Sequence, residues 1–300
     1  MIVYTVWSFC QNRVPCRGAS DVHEILKNKH KGGIFNKKDI SIHQEYGIQE
    51  YMDIVAIDIG NSRIKTGYFK NGRLRDVYTT DTKNAENLSF PTSWNIMRAG
   101  YVGISSVVPP VNRIVKEKAS VFFKGSGIII IKPEDCGISL KIRNPGTVGV
   151  DRVLNCVAAL KLFGGNVVIV DIGTAVTVDI LSLKREFIGG FILPGPRLWL
   201  ESLKNTAMIN ESKISEAPIP GRDTGEAVFA GLKYGLAGAI NGILDNVFKK
   251  YPSAKLVLTG GGSYQFLKHV RFKKKIREHL TLEGIYHVVS QNSRGDCTEC

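Results

Sequence analysis

Two short segments combine an acidic residue, a glycine and small polar residues, a pattern suited to binding phosphates. Residues 58–65 read Asp-Ile-Gly-Asn-Ser-Arg-Ile-Lys, and residues 171–179 read Asp-Ile-Gly-Thr-Ala-Val-Thr-Val-Asp. In such a turn the backbone N–H groups can approach a phosphate, the carboxylate can hold a hydrated metal ion, and a lysine can pair with phosphate oxygens. We therefore interpret both segments as candidate phosphate loops.

The flanking sequence predicts that each segment is a β-hairpin. Residues 54–57 and 167–170 are short apolar runs suited to buried strands, and a second β-rich run follows each turn. Glycine and asparagine adopt positive φ at little cost, which favours a tight turn between the two runs. The repetition indicates two related halves that face one ligand, and the alternative is a pair of unrelated hairpins.

A third carboxylate, Asp151, follows a glycine-containing loop and begins a predicted helix that runs to about Phe163. Its position in the first helical turn has two readings. A carboxylate there can simply cap the helix by accepting backbone N–H groups. It can also act as a base that the helix N-terminus keeps ionised and that points into a glycine-walled cleft.

The remaining pattern alternates strands with helices and predicts an α/β fold. Apolar runs predict strands over residues 101–108, 127–131, 187–195 and 256–258, and longer patterns predict helices over residues 111–124, 196–205 and 225–249. The Thr-Gly-Gly-Gly run at residues 259–262 follows the last of these strands. Its bare backbone could admit a purine ring.

Composition limits the classes of function. The chain has 300 residues, of which 43% are hydrophobic and 22% charged, enough for two domains. We find no run near the roughly 18 apolar residues of a membrane span and no secretory signal, so we expect a cytoplasmic protein without membrane attachment. The net charge of +13 favours an anionic partner. The basic run at residues 271–275 reads as a solvated helix face, and no nucleic-acid binding is expected.

Residues 1–51 differ from the rest, because they are polar and lack sustained periodicity. We interpret them as an extension that is disordered or results from an early gene start, with a small accessory subdomain as the alternative. Cys156 is expected to be a small buried hydrophobe. Cys297 and Cys300 have the spacing of a zinc knuckle, but two cysteines do not make a four-ligand site, and completion by Cys10 and Cys16 is not favoured.

Six blocks, in this order along the chain, resemble the signature blocks of type III pantothenate kinases. They are residues 58–65, 149–152, 171–179, 189–195, 223–224 and 259–262. The resemblance covers nearly everything from Met52 to about Ser290. That family belongs to the acetate and sugar kinase, Hsp70 and actin superfamily. The resemblance implies two ribonuclease-H-like (actin-like) domains around a central nucleotide cleft, with domains at residues 52–164 and 165–300.

The resemblance implies ATP-dependent phosphorylation of pantothenate to 4′-phosphopantothenate, the first step of coenzyme A biosynthesis, by a homodimer. Asp151 would be the proton acceptor, Asp171 would bind a monovalent cation, K⁺ or NH₄⁺, and Mg²⁺ would lie near Asp58. The implied ATP-binding residues are Asp58, Ile59, Gly60, Asn61, Ser62, Arg63, Ile64, Lys65 and Thr174. The implied pantothenate-binding residues are Gly149, Val150, Asp151, Arg152 and Thr224, the last across the dimer interface.

The sequence departs from the family pattern at a few positions. Ser62 stands where the family usually has threonine, and Val150 replaces a common alanine. Ile142 occupies the place where many members carry a tyrosine that helps to hold pantothenate, which affects the expected substrate affinity. Two other functions stay open at this point: an accessory or regulatory protein without kinase activity, and a kinase of the same superfamily that acts on another small hydroxylated acid.

Overall fold

A computed structural model describes residues 52–96, 99–203, 218–261 and 268–293 of the chain. The chain divides into Met1–Tyr51 and Met52–Cys300, and every described residue belongs to the second part. The predictions made for residues 1–51 and for the cysteines at positions 10, 16, 297 and 300 therefore lie outside the described residues.

Two β-sheets form the framework, and each carries one of the candidate hairpins. The first sheet contains β1 (Ile54–Ile59), β2 (Arg63–Lys70), β3 (Arg73–Asp81), β4 (Tyr101–Ser106) and β5 (Gly127–Ile130), in the order β3-β2-β1-β4-β5. Strands β1 and β2 pair antiparallel, with Asp58 opposite Lys65, whereas β4 runs parallel to β1. The predicted first hairpin is thus confirmed, and the acidic and basic residues at its turn are direct cross-strand neighbours.

The second sheet repeats the same arrangement. Its strands are β6 (Ser139–Leu140), β7 (Val167–Ile172), β8 (Ala175–Leu181), β9 (Glu186–Pro194), β10 (Lys255–Thr259) and β11 (Lys274–Ile276), in the order β11-β10-β7-β8-β9-β6. Here β7 and β8 pair antiparallel around the second turn, and β10 runs parallel to β7. Both sheets therefore consist of an antiparallel β-hairpin meander extended by parallel strands, as the internal repeat predicted.

Helices cover the sheets. They are α1 (Thr92–Ile96), α2 (Pro109–Phe122), α3 (Val150–Phe163), α4 (Pro196–Leu203), α5 (Thr224–Lys250) and α6 (Leu280–Asn292). The apolar side of α3 is buried together with Val167 and Ile169 of β7 in a core that also includes residues of β1 and α6. Such two-sided burial explains why α3 carries an almost continuous run of buried residues from Val153 to Ala159.

Helix α6 connects the last described part of the chain to the first sheet. It contacts β1, β2 and β4, and it also contacts α3. A Cβ atom added to Gly103 of β4 would overlap the side chains of Ile285 and Val289, so the bare glycine makes room for this helix. The short strand β6 conversely pairs with β9 of the second sheet. The division into domains at residues 52–164 and 165–300 stays a prediction.

Helix α5 is the only described helix that is long and apolar enough to cross a membrane by length and composition. A core helix of a globular protein passes the same test. Phe229, Leu232, Leu236, Ile240 and Leu244 of this helix are buried in one cluster with strands of the second sheet. Its apolar residues are therefore used in packing against β-strands.

The predicted elements agree with the structure within a few residues, with one clear exception. The basic run at residues 271–275 is not a solvated helix face, because Lys274–Ile276 forms strand β11 and pairs with β10. The prediction was wrong because a run of charged residues hides the β-pattern of an edge strand, where charged side chains reach solvent. The burial predicted for Cys156 is confirmed.

Candidate active site

The two hairpin turns and the start of α3 line one cavity of about 400 Å³. Its lining contains Asp58, Asp151 and Asp171, the three carboxylates singled out in the sequence. The remaining predicted residues that line it are Gly60, Asn61, Ser62, Arg63, Lys65, Arg152 and Thr174. Gly260 and Gly261 at the end of β10 also contribute, and a Cβ atom on Gly260 would overlap the backbone of Ile172. The cavity therefore has a glycine wall and an acidic floor.

The two hairpin turns touch each other across the cavity. The hydroxyl groups of Ser62 and Thr174 form a hydrogen bond of 2.8 Å. The first turn is closed by the Gly60 N–H, which donates to the Arg63 carbonyl at 3.0 Å, and the Thr82 hydroxyl donates to the Gly60 carbonyl at 2.6 Å. These bonds fix the backbone of the first turn while its small side chains leave the cavity open.

Asp58 lies at the end of β1, where its Oδ1 accepts a hydrogen bond of 3.0 Å from the Ser105 hydroxyl of β4. Burial raises the pKa of Asp58 to about 7; the charge of Asp151 adds to this rise, and Lys65 opposes it. A carboxyl group this crowded by other acids is stabilised by a bound cation. Ser105 is fully buried and lies in none of the six sequence blocks, so the sequence did not reveal it as a partner of Asp58.

Asp151 stands in the first turn of α3, one residue after the helix begins at Val150. The N-cap residue is Gly149, and a Cβ atom there would overlap Asp151 Oδ1, so a larger residue would force the carboxylate to shift. Asp151 Oδ1 accepts the Arg152 backbone N–H at 2.8 Å, which shows that the helix turn binds the carboxylate while it faces the cavity. Burial raises the pKa of Asp151, and the Arg152 backbone and charge lower it.

Arg152 is held by a fully buried acid, Asp179, at the point where β8 passes α3. Arg152 Nε donates to Asp179 Oδ1 at 2.9 Å, a second guanidinium nitrogen contacts the same oxygen, and the Thr177 hydroxyl donates to Oδ2 at 3.0 Å. The Arg152 guanidinium also lies 5.2 Å from the ring centre of Phe187. Asp179 therefore fixes the arginine beside the cavity, a role that sequence reasoning missed although the residue closes the second motif.

Asp171 lies near the end of β7 and lines the same cavity as Asp58. Its Oδ2 accepts a hydrogen bond of 3.0 Å from Asn155 Nδ2 of α3. Burial raises the pKa of Asp171 to about 6, and Lys65 and Asn155 lower it. Lys65 is thus close enough to two carboxylates to balance part of their charge.

Some predicted residues lie elsewhere. The side chains of Ile59, Ile64 and Val150 are buried in the apolar core, so only their backbone atoms are available to a ligand. Thr224 is exposed at the start of α5, where Asp223 caps the helix, and it is not among the cavity-lining residues. Ile142 packs against the core beside α3.

A divalent ion at this site would need help from a ligand. In the described ranges, no group of three or more His, Cys, Asp and Glu side chains is arranged to hold a metal ion. Mg²⁺ commonly binds through one or two carboxylates together with substrate phosphates. Asp58 and Asp171 both line the cavity and fit that mode of binding. Their oxygen atoms are also suitable ligands for a monovalent cation that completes its coordination shell with phosphate or water oxygens.

Comparison with known proteins places these features in a family. The family model described as type III pantothenate kinase matches residues 54–246. A type III pantothenate kinase of Solibacter usitatus is 32% identical over 252 residues, covering 80% of this chain and 97% of that protein. One of Persephonella marina is 32% identical over 250 residues, covering 79% of this chain and 98% of that protein.

Solved structures agree on the fold. A conserved putative Baf family transcriptional activator from Campylobacter jejuni has a TM-score of 0.52 at 21% identity and covers 80% of this chain and 98% of its own. A putative 2-dehydro-3-deoxygalactonokinase from Sinorhizobium meliloti has a TM-score of 0.53 at 13% identity, with 82% and 98% covered. The predicted α/β fold is confirmed, because both sheets and these structures share it. By the family match and these relatives, the chain belongs to the type III pantothenate kinases.

Proposed function

We propose that this protein transfers the γ-phosphoryl group of ATP to the primary hydroxyl of pantothenate, giving 4′-phosphopantothenate and ADP in the first step of coenzyme A biosynthesis. The observation that carries the proposal is the convergence of three separately encoded carboxylates, Asp58, Asp151 and Asp171, on one cavity between two hairpin turns. Phosphoryl transfer depends on positioning and on charge neutralisation, and this cavity offers both.

The residue roles follow from position. The turn at residues 60–63 and Thr174 would hold the phosphates of ATP between the two hairpins, with Lys65 pairing with their charge. Asp151 would orient the hydroxyl of pantothenate and accept its proton as the oxygen attacks the γ-phosphorus and ADP leaves. Burial raises the pKa of Asp151, which makes it a stronger base than an exposed carboxylate. Arg152, which Asp179 fixes, would bind the carboxylate of pantothenate.

Two cations complete the proposal. Asp58, together with the phosphates of ATP, would hold Mg²⁺, and Asp171 would hold a monovalent cation, K⁺ or NH₄⁺. Bound there, the cations would offset negative charge on the phosphates. The chain itself keeps both carboxylates half-buried at the strand ends, where Ser105 and Asn155 each donate a hydrogen bond to one of them.

A homodimer and a cytoplasmic location are part of the same proposal. Helix α4 contacts both β9 and α5, and these three elements carry the exposed apolar side chains Phe191, Ile192, Leu198 and Tyr234. Ile192 is 66% exposed, and a group of exposed apolar side chains on contacting elements is typical of an interaction surface. Thr224 at the start of α5 would then contact pantothenate bound to the partner. Light scattering of the purified protein measures the mass directly.

The deciding experiment is an assay with ATP, Mg²⁺ and pantothenate, each with and without KCl. We expect 4′-phosphopantothenate as the product. A substrate panel of small hydroxylated acids run in parallel would reveal a kinase with another substrate if pantothenate were not preferred. Nucleotide binding without any product would instead favour the regulatory protein.

A further inference from the structure

Asn155 is a fully buried amide in the middle of helix α3, among apolar neighbours. Its Nδ2 donates to Asp171 Oδ2 at 3.0 Å, and its Oδ1 accepts a hydrogen bond of 3.0 Å from the Thr281 hydroxyl. Burying an amide is costly unless both of its ends find partners. Thr281, which is 126 residues away in sequence, therefore supplies the hydrogen-bond donor that Asn155 Oδ1 requires.

The two helices that carry these residues are in direct backbone contact. A Cβ atom added to Gly284 of α6 would overlap the carbonyl oxygen of Leu154 in α3. Leu154 is the neighbour of Asn155, and Gly284 lies about one helical turn after Thr281. This close approach brings the Thr281 side chain within reach of the amide, and it leaves little freedom for the two helices to slide.

The direction of each bond follows from the chemistry of Asp171. An ionised carboxylate only accepts hydrogen bonds, so Asn155 has to present its NH₂ group to Asp171 and its oxygen to Thr281. The Thr281 hydroxyl therefore donates its proton to Asn155. The lone pairs of the Thr281 hydroxyl oxygen remain available as acceptors. Thr281 lines the same cavity as Asp171.

We propose that Asn155 and Thr281 are positioning residues that hold the Asp171 carboxylate in place for the monovalent cation, an inference that rests on the proposed kinase function. Thr281 fixes which way the Asn155 amide faces, and Asn155 fixes Asp171 Oδ2, so that the other carboxylate oxygen is left for the cavity. Because α6 packs on the first sheet and Asp171 ends a strand of the second, this pair of bonds ties the cation site to both sheets.

The test compares Thr281→Val, which removes the hydroxyl at nearly constant shape, with Thr281→Ser, which keeps it. Thr66→Val is the matched control, because the Thr66 hydroxyl is buried and has no hydrogen-bond partner among the residues that the structure describes. Two quantities are measured against KCl concentration: the initial rate at saturating ATP and pantothenate, and the unfolding temperature without nucleotide.

We expect Thr281→Val to raise the half-saturating KCl concentration about tenfold in both measurements, as the loss of one hydrogen bond in a chain that ends on a charged group predicts. Thr281→Ser should stay within about twofold of the wild type, and Thr66→Val should match it. A Thr281→Val protein with the wild-type KCl dependence would overturn the inference. A wild-type unfolding temperature that does not change with KCl concentration would overturn it too. If the wild type forms no product but is stabilised by KCl, the proposed function fails and the thermal arm still tests the positioning.

Discussion

At the scale of single residues, the site is dominated by acids that the fold forces together. Asp58, Asp151, Asp171 and Asp179 are all largely withdrawn from water, and burial raises the pKa of each of them. Asp179 has its own arginine partner, whereas Lys65 is the cation that, among the described residues, lowers the pKa of both Asp58 and Asp171. In the free protein the ionised forms of Asp58 and Asp171 are therefore disfavoured, and a bound cation would favour them.

Substitution of Asp151 tests whether this residue is a catalytic base or only stabilises the start of α3. We expect Asp151→Asn to lower turnover by about two orders of magnitude, the usual contribution of a positioned base, while ATP binding persists. Steady-state kinetics and calorimetric nucleotide titration measure the two effects. Because asparagine keeps the size of the side chain and an acceptor oxygen for the Arg152 backbone N–H, the fold should survive. Near-normal turnover would reduce Asp151 to a residue that stabilises the start of α3.

The pKa of Asp58 predicts how stability changes with pH in protein free of metal and nucleotide. The folded group has a pKa of about 7 against an ordinary value of 3.8, so between these values the folded form binds a proton that the unfolded form has released. This group's contribution to stability is therefore complete below pH 3.8 and is lost as the pH rises through about 7, with a slope of at most about 1.4 kcal/mol per pH unit.

Asp58→Asn removes that contribution. We expect the variant to lose less stability than the wild type between pH 5 and pH 8 when both are unfolded by denaturant in the presence of a chelator. Asp171→Asn should show a smaller difference, which is complete by about pH 6, the pKa of that group. Identical pH profiles for the wild type and Asp58→Asn would contradict the burial argument.

At the scale of elements, the hairpins were predictable and the parts that complete the site were not. Turn residues and β-branched runs are local signals, so β1–β2 and β7–β8 could be read from the sequence within a residue or two. Strand β3, with its alternating charged residues, and helix α6 gave no comparable signal. The Asn155–Thr281 bond joins residues 126 positions apart, and no local pattern can indicate such a contact.

Helix α6 owes its position to a glycine, which makes Gly284 a sharp test of the packing. Gly284→Ala should destabilise the protein by about 2–4 kcal/mol, although alanine favours helices, because the added methyl group meets the backbone of Leu154. Thermal or urea unfolding measures the loss. Gln291→Ala, at an exposed position of the same helix, is the control and should change stability by less than about 0.5 kcal/mol. Equal stabilities would mean that the two helices can separate at no cost.

At the scale of the whole molecule, the kinase features all lie within Met52–Cys300. The family model begins at residue 54, and the Solibacter usitatus relative aligns over 97% of its own length with 80% of this chain. We expect removal of residues 1–51 to leave the kinase activity and the unfolding temperature of the remaining chain unchanged. Loss of folding or of activity on that deletion would show that the segment is structural.

The return of α6 to the first sheet sets an order for folding during synthesis. Ile54 and Ala56 of β1 share their buried cluster with Leu280, Ile285 and Val289, which the ribosome adds more than 200 residues later. Until then β1 lacks the helix that packs against it in the finished protein. A nascent chain of this kinase therefore completes the core around its first sheet only after α6 has been made, and a stop codon before residue 280 would remove part of that core.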